Sequence, residues 1–403
     1  MSKTAVLAFS GGLDTSFCVP YLKDQGWDVV TLFVDTGGVS VEKRAWIEQR
    51  AISLGAKEHV TQDAGDELWE SFVTPFVMGG AKYQGQYPLL CSDRYVIVSR
   101  AVELAHKIGA RAISHGCTAM GNDQVRFDQS LGCLTDLPII APVRDIQGLT
   151  AEPRVYEMES LRQLGFEVSD DVSKYTMNEN LLGVTVSGSE IDTFGPPSAE
   201  TYRLTAAPDQ LPAGALRVQI GFEKGQAISL DGRPMGGADL LAELNSLLGP
   251  YGVGRGIYTG DTVVGLKGRI VFEAPGLEAL LTAHRALEEA VLSREQNRFK
   301  PSVAQKWTEL VYSGLFYEPL REDLEAFVRS TQSRVSGEVV VEAERGRCDA
   351  VAIESEHVLQ REGAVYAQSA DWSGADAMGF IKLGGLSSAM AAAAVREAAC
   401  SNA

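Results

Sequence analysis

The sequence has few residues of the kinds that form disulfides and metal sites. Its 403 residues include six cysteines and five histidines. The cysteines form no Cys-x-x-Cys pair and no Cys/His cluster at metal-ligand spacing: Cys18, Cys91, Cys117, Cys133, Cys348 and Cys400. This distribution predicts reduced, mostly buried thiols and argues against a zinc site, so we predict no metal-ligating residues.

Long hydrophobic runs are also missing. No apolar run approaches the ~20 residues that span a bilayer, and Met1-Ser2-Lys3 leads straight into a core-like strand instead of a cleavable signal. We therefore expect a cytoplasmic location and no membrane partner. A hydrophobic content of 45% with 22% charged residues is typical of a globular protein, and the length predicts two or three domains.

Basic residues are in the minority. The chain has 36 Lys and Arg against 53 Asp and Glu, a formal net charge of −17. This balance argues against a nucleic-acid partner, because phosphate contacts need clustered Lys and Arg. Small anionic ligands remain possible, since a few local donors and a bound magnesium ion can hold a nucleotide.

The first half alternates short apolar strands with amphipathic helices, which predicts an α/β, doubly wound parallel sheet with ligands beyond the carboxyl ends of its strands. We place strands near residues 4–9, 28–34, 58–61, 110–114 and 139–142. We place helices near residues 15–25, 41–54, 67–78, 92–108 and 152–164.

The pattern changes near Asp170, where a polar, Asn-rich stretch and a Pro-rich connection begin. An α+β domain is expected to follow. Its predicted strands lie near 216–222, 226–230, 262–266, 269–272, 337–344 and 349–354. Its predicted helices lie near 237–248, 278–291, 302–313 and 319–330. The Ala-rich tail at 387–399 should be helical, and it either docks onto another subunit or frays.

The glycine-rich loop, Ser10-Gly11-Gly12-Leu13-Asp14-Thr15-Ser16, follows an apolar strand and opens into a helix. Adjacent glycines let the backbone approach a ligand, and a helix N-terminus offers free N–H groups. The loop therefore predicts a pyrophosphate cradle. No lysine follows the second glycine, so it is not a Walker loop. A tight strand–helix connection without a ligand is the alternative.

A second polar segment, residues 114–127, also follows a predicted strand. Thr118, Asn122 and Asp123 offer donors and acceptors for the ammonium and carboxylates of an amino acid, and Arg126 can clamp a carboxylate with two hydrogen bonds. The alternative is a loop in which Asn122 or Asp123 caps a helix.

Together the two segments resemble the argininosuccinate synthase family, which carries Ser-Gly-Gly-Leu-Asp-Thr-Ser followed by His-Gly-x-Thr-x-x-Gly-Asn-Asp-Gln-Val-Arg-Phe. Further similarity covers most of the chain, at residues 83–88, 178–181, 252–255 and 309–312. The resemblance implies an ATP-dependent ligase of arginine biosynthesis that joins citrulline to aspartate through a citrullyl-adenylate, with magnesium. It also implies a nucleotide-binding domain (1–168), a synthetase and multimerisation domain (169–370) and a helical oligomerisation tail (371–403) in a homotetramer.

The resemblance assigns site residues by motif. The implied ATP site comprises Ala8, Phe9, Ser10, Gly11, Gly12, Leu13, Asp14, Thr15, Ser16, Val34 and Gly116. The implied citrulline site comprises Tyr87, Ser92, Asn122, Arg126, Thr176, Thr185 and Asp261. Aspartate would contact Thr118, Asn122 and Asp123. The catalytic set would be Asp14, Asp123 and Arg126, with Asp14 organising either the loop or magnesium.

Several positions depart from the family pattern. Ala119-Met120 replaces Gly-Lys, Gly260 replaces a glutamate and Phe272 replaces a tyrosine. Asp261 is therefore expected to take over the role of the glutamate.

These departures leave open an alternative function, an aspartate-using ligase that acts on another ureido substrate. A tRNA thiolation enzyme would need paired cysteines and a basic face. A catalytically dead homologue would not need both motifs intact.

Overall fold

The computed structural model describes residues 3–119, 121–150, 152–168, 174–361, 365, 368 and 371–401. Met120, one of the departures from the family pattern, therefore lies outside the described residues, as do residues 169–173, which directly follow the predicted 168/169 boundary. Within this part, the backbone divides into a compact unit that runs to His357 and a second unit from Val358. The predicted domain boundaries stay predictions.

The first sheet is parallel, with the described strands in the order β3-β2-β1-β4-β5. Its strands are β1 (Lys3–Ala8), β2 (Trp27–Asp35), β3 (Glu58–Asp63), β4 (Ala112–Ser114) and β5 (Ile139–Ile140). The helices of this half are α1 (Leu13–Asp24), α2 (Val41–Ser53), α3 (Gly65–Leu68), α4 (Thr74–Gly79), α5 (Asp93–Ile108), α6 (Asn122–Leu134), α7 (Pro142–Gln147) and α8 (Pro153–Gln163).

Alternation along the central strand explains why both faces of this sheet are covered. Val6 packs into one core cluster and Leu7 into another, and both are fully buried. Because successive side chains point to opposite faces, an uninterrupted apolar strand needs helices on both sides. The doubly wound fold is thereby confirmed. The strand order reverses between β1 and β4, so a ligand crevice is expected at their carboxyl ends.

The second half contains two antiparallel sheets, again counted over described residues. One has the order β11-β12-β7-β6 and the other β10-β9-β8-β13-β14. The strands are β6 (Thr176–Asn180), β7 (Gly183–Ser187), β8 (Leu216–Glu223), β9 (Gln226–Leu230), β10 (Arg233–Pro234), β11 (Arg255–Asp261), β12 (Lys267–Glu273), β13 (Gly337–Glu344) and β14 (Arg347–Glu354). The helices are α9 (Gly237–Leu248), α10 (Pro275–Val291), α11 (Arg294–Tyr312) and α12 (Pro319–Ser330).

The strand predicted at 262–266 is wrong, because this segment is the turn between β11 and β12. The N–H and the hydroxyl of Thr262 both donate to the carbonyl of Leu266, each at 2.8 Å, and Gly265 supplies a positive φ of 87°. Leu266 is 67% exposed, so the apolar run lies at a hairpin tip instead of in a core. Residues 267–268, which would connect the predicted strands 262–266 and 269–272, instead belong to β12.

Several further elements differ from the prediction. No strands were predicted where β6 and β7 lie, in and directly after the polar, Asn-rich stretch, and α6 begins inside the second polar segment at Asn122. The helix predicted at 67–78 is α3 and α4 joined by a π-helical stretch, Trp69–Val73. Helix α11 begins earlier than expected, because Ser293 and Gln296 form a capping box at its start.

The second unit contains α13 (Gly374–Gly384) and α14 (Leu386–Ser401). Several of its large apolar side chains are exposed, including Phe380 at 73% and Leu383 at 72%. No single helix of the described residues is both long and apolar enough to cross a membrane; α13 and α14 pass that test only as a pair bent by 51°.

Candidate active site

The glycine-rich loop connects β1 to α1. Gly11 has a φ of 77°, and Gly12 is the N-cap of α1 with extended backbone. Ser10 Oγ lies 3.2 Å from Thr15 Oγ1, and Ser16 Oγ donates to the Gly11 carbonyl at 3.2 Å. No side chain of the described residues caps α1, so its first N–H groups are available to an anion.

Two glycines allow close approach to this loop. A Cβ on Gly11 would lie 2.8 Å from the Trp46 ring, and one on Gly116 would lie 3.1 Å from Thr15 Cγ2. Gly116 belongs to the second loop, residues 115–119, which follows β4 as the glycine-rich loop follows β1. Because β1 and β4 are neighbours, the two sequence motifs meet at the switch point of the sheet.

The predicted ATP-site residues differ in exposure. Those at least partly exposed are Ser10, Gly12, Asp14, Thr15 and Gly116. Those buried beneath the loops are Ala8, Phe9, Gly11, Leu13, Ser16 and Val34. The first group can contact a nucleotide directly, and the second supports the loop that would hold it.

A buried histidine fixes the second loop, which also contains Thr118. His115 Nδ1 accepts the N–H of Cys117 at 3.1 Å, and Nε2 lies 2.8 Å from Asp128 Oδ1. A ring that accepts at Nδ1 carries its proton on Nε2, so Nε2 donates to Asp128. Arg144 pairs with the other oxygen of Asp128. Helices α6 and α7 thus set the position of Gly116 and Thr118.

The Asp123 carboxylate is held between two arginines. Arg94 donates from Nε and Nη2 to Asp123 Oδ2, both at 3.1 Å, and Arg126 donates from Nη1 to Oδ1 at 2.9 Å. Burial alone would raise the pKa of Asp123, but the charges of Arg94 and Arg126 outweigh burial and lower it. Asp123 is therefore ionised, and an incoming ammonium group has to share it with two guanidinium groups.

Asn122 and Arg126 of α6 are bound by the second half of the chain. Asn122 Oδ1 accepts the N–H of Val263 at 2.9 Å, and Asn122 Nδ2 donates to Tyr312 Oη at 3.3 Å. Arg126 donates from Nε and Nη2 to the Tyr312 carbonyl at 3.2 and 3.0 Å. The structure thus joins the predicted substrate residues of α6 to α11 and to the β11–β12 turn.

An aromatic cluster contains Tyr87. The rings of Tyr83 and Tyr312 stack at 3.6 Å, and the Tyr87 ring lies 5.6 Å from Tyr258 and 5.8 Å from Phe272. Burial raises the pKa of the Tyr87 phenol well above its usual value, so it stays neutral and able to donate.

Asp261 lies beside this cluster and already has partners. Lys267 Nζ pairs with Oδ1, and Gln84 Nε2 donates to Oδ2 at 2.8 Å. Hydrogen bonds from Lys267 and then Gln84 lower the pKa of Asp261. The carboxylate is ionised and partly exposed, so it can accept an ammonium group only in competition with Lys267.

The remaining predicted citrulline residues are less closely associated with the cluster. Thr185 lies opposite Phe272 in the sheet, which places it next to the cluster. Thr176 lies opposite Ser187 on β6, and its hydroxyl accepts from Arg154 at 2.5 Å. Ser92 is buried and donates to the Leu89 carbonyl at 2.8 Å.

Gly260 leaves no space for the side chain that the family pattern would place there. A Cβ at this position would lie 2.3 Å from Gln84 Oε1 and 2.4 Å from Tyr258 Oη. The Tyr258 hydroxyl lies 3.0 Å from Gln84 Oε1 and 2.9 Å from the Asp261 carbonyl oxygen, and its one proton can be donated to either. These groups fill the volume that a side chain at residue 260 would occupy.

We expect Gly260→Glu to destabilise the chain by about 1–3 kcal/mol, because the new side chain overpacks a filled site. Urea unfolding would measure the effect. Gly214→Glu is the matched control, since a Cβ there meets nothing within 4 Å. Equal stability of the two variants would contradict the packing argument.

Arg94, Gln84 and Tyr312 are the functional candidates that sequence reasoning missed. Tyr312 and Gln84 both lie in segments similar to the family, so a signal for these two residues was present. Arg94 and Gln84 act on Asp123 and Asp261 from distant parts of the chain. No local pattern indicates such contacts.

Comparison with known proteins covers both halves. The model described as "Arginosuccinate synthase N-terminal HUP domain" matches residues 4–161, and "Arginosuccinate synthase C-terminal domain" matches residues 175–391. An argininosuccinate synthase from Xanthomonas campestris pv. campestris is 57% identical over 96% of this chain and 98% of its own length. Those from Xylella fastidiosa and Methanocaldococcus jannaschii are 54% and 38% identical, each over 96% of this chain and 97% of its own length.

Proposed function

The chain belongs to the argininosuccinate synthase family, and on this premise we propose that it ligates L-citrulline to L-aspartate, consuming ATP and releasing AMP and pyrophosphate. The observation that carries the proposal is the meeting of the two loops, where a Cβ on Gly116 would lie 3.1 Å from Thr15. A nucleotide on one loop and an amino acid on the other would be adjacent there. The relatives do not favour a different ureido substrate.

The reaction has two displacements. The ureido oxygen of citrulline attacks the α-phosphorus of ATP and pyrophosphate leaves, which forms citrullyl-adenylate. The amine of aspartate then attacks the activated carbon and displaces AMP, giving argininosuccinate. An adenylated electrophile needs little further activation, so positioning accounts for much of the rate. This agrees with a site in which none of the residues that the structure describes stands out as a general base.

The glycine-rich loop serves the first displacement. Its free N–H groups and the accessible hydroxyls of Ser10 and Thr15 can stabilise the charge that develops on pyrophosphate. Asn122 and Arg126 would hold citrulline with Tyr87. The remaining citrulline contacts are Ser92, Thr176, Thr185 and Asp261. Thr118 and Asp123 would hold aspartate beside them, with Asn122 shared between the two substrates.

Magnesium is the ion we expect to accompany ATP. Among the described residues, no three His, Cys, Asp or Glu side chains stand close enough to hold a metal. Mg²⁺ commonly binds through substrate phosphates and water, so we assign the ion to ATP. Bound there, it would neutralise charge on the departing pyrophosphate. We assign Asp14 to loop organisation, because Arg154 and Glu157 act directly on its carboxyl.

A cytoplasmic homotetramer completes the proposal. The exposed apolar side chains of the second unit, such as Phe380 and Leu383, support a tail that docks on another subunit. Size-exclusion chromatography with light scattering would measure the assembly. The net charge of −17 supports a protein that does not grip nucleic acid.

The decisive assay measures AMP and pyrophosphate released from ATP and magnesium, with citrulline and aspartate supplied singly and together. We expect release of both products to depend on both amino acids, with argininosuccinate identified by mass. ATP turnover without argininosuccinate, or no turnover with both amino acids present, would refute the proposed function.

A further inference from the structure

A buried carboxyl lies beside the glycine-rich loop without a conventional hydrogen-bond partner. Glu157, on α8, is fully buried, and neither carboxyl oxygen has a hydrogen-bond partner among the described residues. Helix α8 packs along α1, and the Glu157 carboxyl acts directly on that of Asp14 in the first turn of α1. Such a buried polar group calls for an explanation.

The surrounding groups disfavour an ionised Glu157. From α1, Asp14 contributes a second acid and Cys18 a buried thiol; from α8, Arg154 contributes one positive charge, which also donates to Thr176. Burial, and then the charge of Asp14, raise the pKa of Glu157 to about 9. The buried Glu157 carboxyl and the adjacent Asp14 carboxyl therefore hold one proton between them at neutral pH.

That proton explains the missing partner. Two ionised carboxylates can only accept, so neither can donate to the other. With one proton, Glu157 becomes a donor to Asp14, and the contact between the two acids becomes a charge-assisted hydrogen bond.

We infer that Glu157 is a positioning residue of the glycine-rich loop, which as a neutral acid donates a hydrogen bond to the Asp14 carboxylate. This inference rests on the proposed function, because it assumes that the loop binds pyrophosphate. Asp14 stands two residues after the N-cap Gly12, so the bond ties the first turn of α1 to α8. It thereby fixes the N–H groups that face the ligand, without a second negative charge near the polyphosphate.

Two substitutions separate the possible roles of Glu157. Glu157→Gln keeps the shape and an N–H donor but cannot ionise. Glu157→Leu keeps a similar volume and removes donor and charge together. Glu159 is exposed on the same helix, so Glu159→Gln and Glu159→Leu are matched controls.

The test measures the dissociation constant of pyrophosphate by calorimetry on the full chain, with KM for ATP and for citrulline as further readouts. Glu157→Gln is expected to bind pyrophosphate within about threefold of the original chain. Glu157→Leu is expected to weaken binding about tenfold or more, the effect of losing a charge-assisted hydrogen bond. KM for ATP should rise in parallel, while KM for citrulline and both Glu159 controls stay unchanged.

Two outcomes would overturn the inference. If Glu157→Gln weakens pyrophosphate binding tenfold, the negative charge of Glu157 is what matters for binding, and not its hydrogen-bond donation. This result would decide the question even if Glu157→Leu fails to fold. Unchanged binding by Glu157→Leu would mean that only buried volume matters. Failure of the original chain to bind pyrophosphate and to form argininosuccinate would instead refute the proposed function, so the two failures are distinguishable.

Discussion

Arg126→Met is expected to destabilise the chain by about 1–3 kcal/mol, because it leaves the buried Tyr312 carbonyl without its donor and removes one of the two guanidinium groups from the Asp123 carboxylate. Arg126 is 3% exposed and donates to Asp123 and twice to the Tyr312 carbonyl. Its guanidinium also lies 5.0 Å from the centre of the Tyr312 ring. Urea unfolding measures the loss, and kcat/KM for citrulline should fall at least about 100-fold.

The control for this prediction is Arg285→Met. Arg285 is an exposed arginine of α10 that pairs with Glu289 four residues later. Exposed ion pairs of this kind contribute little to stability. The free energy of unfolding of the variant should therefore lie within about 0.5 kcal/mol of that of the original chain. Arg126→Met combined with Asp123→Asn should cost less than the sum of the single changes, because the two residues are directly coupled. Arg126→Met unfolding like the original chain would contradict the assigned contacts.

Gly11→Ala is expected to lower kcat/KM for ATP about 100-fold, because the new Cβ would displace the glycine-rich loop from the pyrophosphate that we propose it holds. The residue has a positive φ of 77°, and a Cβ would lie 2.8 Å from the Trp46 ring and 3.3 Å from Ile47 Cγ1. Initial rates at varied ATP, with citrulline and aspartate saturating, would measure the effect. Trp46→Ala on the Gly11→Ala background should recover part of the loss.

Gly26→Ala separates backbone strain from crowding. Gly26 follows the other end of α1 with a φ of 82°, and a Cβ there meets nothing within 4 Å. The variant should cost about 1 kcal/mol in stability through its left-handed backbone and leave turnover unchanged. Similar kinetic losses at Gly11 and Gly26 would mean that strain in α1, and not approach to the ligand, explains the defect.

Local patterns were sufficient for the parallel sheet and its loops. An unbroken apolar strand followed by Gly11 and Gly12 identifies both β1 and the helix start after it, because burial and backbone freedom act within a few residues. The same logic failed at the β11–β12 hairpin. Val263 and Val264 look like strand residues, but Gly265 turns the chain there. β6 was missed because its residues are mostly polar.

The candidate site shows the limit of sequence reasoning more sharply. Asn122, Asp123 and Arg126 were identified from one segment, yet their partners Val263, Arg94 and Tyr312 come from elsewhere in the chain. Glu157 carries no motif at all. Glu157 became a candidate only because it is buried beside Asp14, and this burial follows from the packing of α8 on α1.

The bond between Arg126 and the Tyr312 carbonyl joins residues 186 positions apart. At ordinary rates of translation, roughly 10–40 s separate the synthesis of its two halves. Throughout that interval, the parallel sheet can be complete while the guanidinium still lacks its acceptor and the Tyr83 ring lacks its stacking partner. A ribosome-bound chain therefore has every strand of its parallel sheet synthesised before α11, and the contacts of Arg126 and Tyr83 with Tyr312 can form only when α11 leaves the exit tunnel.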